Sequence, residues 1–203
     1  MTNAPVPMSV RLERFNHNNA DMVLSWRNAT HVRANSLNDA EISREHHLAF
    51  VRGLADRPER NFYVLYLDDQ PEAVFNVNVD DTDDTNAQWG CYIGPAGTPR
   101  PGLFPLMIGL AGSLAFGPLQ CSVLYSEVVD SNKTPQKLNA FLGVPSYDTR
   151  REIRPSGEAV DVVLYQVDYT DWQRIRNKID NILTSAQRNA LACFESDPYA
   201  HIT

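Results

Sequence analysis

The sequence predicts an α/β domain built on a mixed, mostly antiparallel sheet with helices on both faces. Strand-like stretches follow one another between residues 62 and 93 with only short turns between them, as in an antiparallel meander. After residue 94, strands alternate with helices, as crossover connections require. At 203 residues, 43% hydrophobic and 21% charged, the chain is long enough and apolar enough for one core.

Met8, Val10 and Leu12 alternate with polar residues and predict a first strand over 8–15. Asn18 or Asn19 is placed to cap a short helix running to Trp26 and Arg27. In a second helix Ser43 suits the N-cap, Glu45 the first turn, and Leu48, Val51 and Leu54 recur at helical spacing before Pro58. Residues 62–67 and 74–79 read as strands joined by a turn at 68–71. The acidic run 80–84 reads as a solvated hairpin tip, since it lacks the glycine and terminal glutamate of a calcium loop, and 88–93 as the returning strand. A Gly/Pro-rich loop, 94–102, opens into an apolar helix over 103–116 that Gly117 and Pro118 end. A strand at 122–128, a helix at 133–142 and strands near 147–153 and 160–169 complete the sheet. From 171 to about 194 the tail reads as a helix with Trp172, Ile175, Ile179, Ile182 and Leu183 on one stripe. The expected organisation is therefore a domain over 1–170 and a helical extension over 171–203. The stripe suits either a cap on the domain or a contact between two copies.

Several functions are excluded. A net charge of −7 opposes a nucleic-acid surface, although Arg27/Arg33, Arg57/Arg60 and Arg150/Arg151/Arg154 leave room for a local basic pocket. Cys91, Cys121 and Cys193 match no zinc or disulfide spacing and read as small buried hydrophobes. Adjacent His46 and His47 point to different helix faces and make no metal pair. The expectation is a chain without a metal. The first residues show no basic-then-apolar pattern, so no signal peptide is expected, and the longest apolar stretch, 103–119, is broken by four Gly/Ser residues and two prolines. The expectation is a cytoplasmic chain without a membrane segment.

The segment carrying most chemistry is the strand, loop and helix from 88 to 116. The first N–H groups of a helix lack internal partners and its dipole favours an anion there, so a small-residue loop entering a helix can hold phosphate. Gly102 permits close backbone approach and Arg100 adds charge, although a plain turn has the same composition.

Ordered short motifs give this segment a context. Ser25-Trp26-Arg27-Asn28 is followed by Val32-Arg33; His47-Leu48 lies in the second helix; Trp89-Gly90-Cys91-Tyr92-Ile93 forms the strand before the loop. Ala115-Phe116, Glu127-Val128, Asn132, the stretch 138–143, Asp161-Val162 and Asp171-Trp172 follow in order. Over about residues 8–170 this resembles the GNAT superfamily of acyltransferases. It is most similar to the N-acetyltransferases of amino sugars in nucleotide-sugar pathways, of the pseudaminic-acid type. The resemblance implies the GNAT fold and transfer of acetyl from acetyl-CoA to an amine by direct attack in a ternary complex. The amine it implies belongs to a nucleotide-linked amino sugar. The alternatives are another small amine, a protein N-terminus, or a GNAT-shaped protein that has lost turnover.

The resemblance also implies roles. Backbone N–H groups of the strand ending Cys91-Tyr92-Ile93 would polarise the thioester carbonyl, and Arg100, Gly102, Leu103 and Phe104 would surround the CoA pyrophosphate. Asn132 would meet the CoA arm, with helix N-capping as its alternative. Arg27, Asn28 and Arg33 would bind the substrate's diphosphate or sugar, with an ordinary solvated helix face as the rival. Glu127, on a strand among apolar neighbours, is the expected base, or else the partner of an Arg or Lys. His47 is the second candidate, or a hydrogen-bonded helix residue. Tyr125 shares a strand face with Glu127 and suits a general acid or plain core. Two departures stand out. Of the usual loop pattern Gln/Arg-x-x-Gly-x-Gly/Ala only Gly102 matches, with Phe104 where a small residue is usual and Pro101 lacking an N–H. Asn139 replaces the Tyr that many members use to protonate the leaving thiolate, a group with a pKa of about 8.5 that leaves unaided near neutral pH.

Overall fold

The computed structural model describes residues 8–94 and 99–203. Part of the loop at 94–102 therefore lies outside the described residues. Seven strands form one sheet in the order β1-β2-β3-β4-β5-β7-β6. They are β1 (Val10–Arg14), β2 (Arg60–Leu67), β3 (Gln70–Val79), β4 (Asn86–Ile93), β5 (Val123–Val129), β6 (Ser146–Ile153) and β7 (Ala159–Asp168). All neighbours run antiparallel except β4 and β5. That parallel pair needs a crossover, and α4 (Leu103–Phe116) supplies it.

Alternation along the strands divides the core. Leu12, Leu65, Phe75, Val77 and Leu124 face α4 together with the C-terminal helices α6 (Tyr169–Ile182) and α7 (Ser185–Ser196). Val64 and Val74 face the opposite side and meet Val23 and Trp26 of α1 (Ala20–Arg27). α3 (Arg44–Gly53) packs on α1, and Ser43 caps it by accepting the His46 N–H, as expected. The expected mixed sheet with helices on both faces is present.

α4 is buried nearly all round because it lies between the sheet and α6/α7. Its small residues allow that closeness: a Cβ on Gly112 would come within 2.4 Å of the Trp172 ring. The apolar stripe of the tail thus packs against α4 and shares its core. The tail differs from the single helix expected. Thr184 breaks it by starting α7 with a capping box, its hydroxyl accepting the Gln187 N–H while the Gln187 carboxamide accepts the Thr184 N–H. Three further features depart from the sequence pattern. A short helix, α2 (Thr30–Arg33), follows α1. Asn19 holds the N-cap position of α1, but its side chain bonds Asn16 N–H, Glu13 and the Arg14 carbonyl instead of the helix. In α3 the buried residues are His47 and Val51, while Leu48 and Leu54 are only partly covered.

Candidate active site

β4 and β5 pair through only three residue pairs, ending at Gln88 opposite Tyr125, although both strands continue. Beyond that point they diverge, and a cavity of about 350 Å³ opens between them. Its walls are residues 89–93 of β4 and 126–128 of β5. Phe104 and Ile108 of α4 close one end, and Asn132, Leu138 and Asn139, at or in α5 (Lys133–Leu142), close another. A second cavity of similar size shares Trp89, Gly90, Cys91 and Glu127 and extends to Arg27, Asn76 and Gln88. A third, of about 540 Å³, lies toward Tyr125, Tyr147, Asp80 and Asp81. Glu127 lines all three.

The backbone of β4 is polarised toward this gap. Gly94 N–H bonds the Glu72 carbonyl and Asp80 N–H bonds the Asn86 carbonyl, so even-numbered residues of β4 direct their backbone groups to β3. Odd-numbered residues point the other way. Thr85 C=O accepts from Ser122 N–H on the β5 side, and the Gln88–Tyr125 pair takes up the Trp89 N–H, whereas the N–H and C=O groups of Cys91 and Ile93 lie beyond the last β4–β5 pair and face the cavity. The gap-facing donors are therefore the N–H groups of Cys91 and Ile93. Tyr92, counted in the same set from sequence, turns its backbone to β3 and its buried ring toward α1, where burial raises the phenol well above its ordinary pKa. Burial also pushes the Cys91 thiol up to about 12, away from the thiolate form.

Glu127 is gripped by Arg150, whose Nη1 and Nη2 donate to its two carboxylate oxygens at 2.7 and 2.8 Å. Arg150 Nε donates to Glu152, and the two carboxylates raise the guanidinium pKa. Tyr125 lines only the third cavity, edge-on to Tyr147 with ring centroids 6.0 Å apart. His47 lies outside all of these linings. It is buried between α3 and α1, its Nε2 has no partner among the described residues, and desolvation lowers its pKa.

The predicted substrate residues separate. Arg27 lines the second cavity; one guanidinium nitrogen donates to the Asn38 carbonyl, and Nη1 is buried without a partner among the described residues. Burial lowers its pKa, the nearby Tyr92 acting against this. Asn28 spends its carboxamide on both backbone groups of Ile42, and Arg33 donates to the Asp39 carbonyl, so these two fasten the segment after α2.

The predicted pyrophosphate residues also differ in placement. Arg100 is paired with Asp68 at 2.9 Å and with Glu72, which raises its pKa and draws it onto the β2–β3 turn. Leu103 is core. Phe104 lines the cavity and Gly102, at φ +79°, is the N-cap of α4. Few donors remain at this helix start. Pro99, Pro101 and Pro105 have no N–H, Leu103 N–H bonds the Arg100 carbonyl, and Leu106 N–H bonds the Gly102 carbonyl. Asn132 lines the cavity, and its side chain makes no capping bond to α5 among the described residues, so it is available to a ligand. Asn139 is buried in the cavity wall beside Tyr165.

No protein-family model matches the chain, and no curated protein matches its sequence. Solved structures do. An aminoglycoside acetyltransferase, AAC(6')-Ib, in complex with coenzyme A and kanamycin, is similar at TM-score 0.66 and 17% identity, over 83% of this chain and 99% of that one. The Campylobacter jejuni N-acetyltransferase PseH in complex with acetyl coenzyme A is similar at TM-score 0.58 and 18% identity, over 79% and 99%. The Salmonella typhimurium protein yncA with its cofactor acetyl-CoA reaches TM-score 0.64 at 14% identity, over 80% and 94%. The fold is that of the GNAT acyltransferases. Within this GNAT fold the diverging parallel pair is the feature that makes a cavity at the centre of the sheet.

Sequence reasoning missed His31, Asn35, Ser36, Asn76 and Gln88, all of which line the cavities. His31 Nε2 stands 3.3 Å from the Ile93 carbonyl. The α2 segment has too few residues to show a period, and Asn76 and Gln88 look like ordinary solvent-facing strand positions. No helix among the described residues is long and apolar enough to cross a membrane. No group of three or more His, Cys, Asp or Glu among them could hold a metal ion.

Proposed function

We propose that the chain is an acetyl-CoA-dependent N-acetyltransferase acting on a primary amine, by direct attack within a ternary complex. The observation that carries this reading is the gap between β4 and β5, into which Cys91 and Ile93 turn their backbone groups. The pantetheine arm of CoA contains two amides and is thin enough to lie along such an edge as an added strand. The apolar lining from Phe104, Ile108 and Leu138 suits its hydrocarbon portions. Asn132 would take a polar contact on the arm.

In this account the thioester carbonyl accepts a hydrogen bond from the Cys91 N–H, a fixed dipole that strengthens as the oxyanion develops. The amine attacks from the second cavity, and the nitrogen loses its proton to Glu127, directly or through one water. The carbon–sulfur bond then breaks and CoA leaves as thiolate. Asn139 offers an N–H there but no acidic proton, and Tyr125 lies on the far side of Glu127, so the thiolate departs unprotonated. His47 has no part in this account.

For the acceptor we propose an amino sugar, preferably nucleotide-linked. Arg27 lines the second cavity, where a guanidinium suits a phosphate oxygen, and the Gln88 carboxamide there suits a sugar hydroxyl. The aminoglycoside acetyltransferase in complex with coenzyme A and kanamycin is a similar structure that supports an amino-sugar acceptor. A second small-amine reading is favoured by Asp80 and Asp81 at the third cavity, which suit a cation with no phosphate. The protein would work in the cytoplasm, where acetyl-CoA is made available. A thiol-release assay with acetyl-CoA across amino-sugar nucleotides, free amino sugars and simple diamines tests the proposal. Release dependent on an added amine is expected, and its absence with every amine class at saturating acetyl-CoA contradicts it.

A further inference from the structure

Gln187, on the C-terminal helix α7, is 3% exposed and makes bonds in two directions. Its carboxamide oxygen accepts from the Thr184 N–H at 3.0 Å, closing the capping box of α7. Its Nε2 donates to the Pro101 carbonyl at 2.7 Å, across a separation of 86 residues. The fit is close: a Cβ on Gly102 would stand 2.6 Å from the same carboxamide. α7 is a firm base for this contact because Leu191, one turn on, is fully buried against Gly109 of α4.

The Pro101–Gly102 peptide is planar and trans, so its C=O and N–H point in opposite directions. Drawing the Pro101 carbonyl onto Gln187 therefore aims the Gly102 N–H away from α7. That N–H has no acceptor among the described residues, nor does the Phe104 N–H, and three prolines leave little else to donate there. Arg100, locked on Asp68 and Glu72, holds the other side of the same turn.

We infer that Gln187 is a positioning residue for the diphosphate of CoA, orienting the Gly102 N–H from the C-terminal helix beside that of Phe104. The inference rests on the acetyl-CoA reading above. It makes α7 part of the cofactor site although it touches no cofactor.

Gln187→Glu separates the two bonds, since a carboxylate still accepts from Thr184 but cannot donate to Pro101. Gln187→Leu removes the donor without adding charge. Each full-length protein is titrated with CoA by calorimetry and with pantetheine, which lacks the diphosphate, by ligand-observed NMR at millimolar concentration. CoA affinity is expected to fall about tenfold in both variants while pantetheine affinity stays within about twofold. CoA affinity within about twofold of wild type in both variants overturns the inference, as does an equal loss for CoA and pantetheine. Wild-type protein that binds neither compound overturns the acetyl-CoA reading itself, and this inference with it.

Discussion

Arg150 on β6 holds both carboxylate oxygens of Glu127 on β5, at 2.7 and 2.8 Å, at the point where three cavities meet. Two parallel charge-assisted bonds fix the plane of the carboxylate and leave its remaining lone pairs to face the cleft. The Arg or Lys partner that sequence left as the alternative to catalysis is thus present. In the proposed mechanism it orients the base instead of replacing it.

Glu127→Gln is expected to lower kcat by roughly 10²-fold, the scale of a lost general base. Arg150→Gln should lower kcat/KM by about tenfold through lost orientation. Both side chains are partly exposed, so each change should cost no more than about 1 kcal/mol of stability. Steady-state kinetics beside urea unfolding checks this, and unchanged activity in Glu127→Gln removes the base from the mechanism.

His47 is expected to set a pH response of stability. Its pKa is lowered from 6.5 in the folded protein by burial, so the unfolded chain binds the extra proton first. Stability should therefore fall as pH drops below about 6.5. The loss ends once pH passes the folded value, and the carboxylates with lowered pKa, such as Glu13, act only in more acid solution. His47→Leu should flatten the fall in melting temperature as pH drops below about 6.5. An unchanged slope would show that another group sets it.

Gly102→Ala places a side chain at φ +79° and against Gln187. Left-handed backbone alone costs about 1–2 kcal/mol for a residue with a Cβ. Chemical unfolding should show at least that loss, together with weaker CoA binding.

Trp172→Ala tests the place of the C-terminal helices. The ring is buried against Gly112 and stacks on Phe116 at a centroid distance of 5.8 Å. Removing it should cost about 3–5 kcal/mol in a single cooperative transition. A separate early transition with the main one unmoved would show that α6 and α7 fold on their own.

α6 was legible because burial leaves a period of 3.6 along it, while β2 and β3 were legible as short apolar runs bounded by turn residues, covered on both faces at their centres. The fold followed from element order and the chain of short motifs. Positions that depend on where another segment ends were not legible. Nothing in Arg100 signals that Asp68 and Glu72 draw it aside, and nothing in Asn28 signals that its carboxamide is spent on Ile42. His47 sits in a motif at the right spacing, yet the packing of α3 on α1 buries it away from the cleft. The divergence of β4 from β5 leaves no mark on either strand, since both keep strand-forming residues past their last pair.

The central claim is that acetyl-CoA lies in the gap between β4 and β5, its thioester on the backbone of Cys91. Backbone amide NMR of the full chain during titration with acetyl-CoA tests this most directly. The account predicts saturable shifts that are largest at Cys91, Ile93 and Phe104 and small at Tyr92, whose N–H is turned to β3. An absence of shifts at millimolar acetyl-CoA, or shifts confined to residues outside the gap, would contradict it.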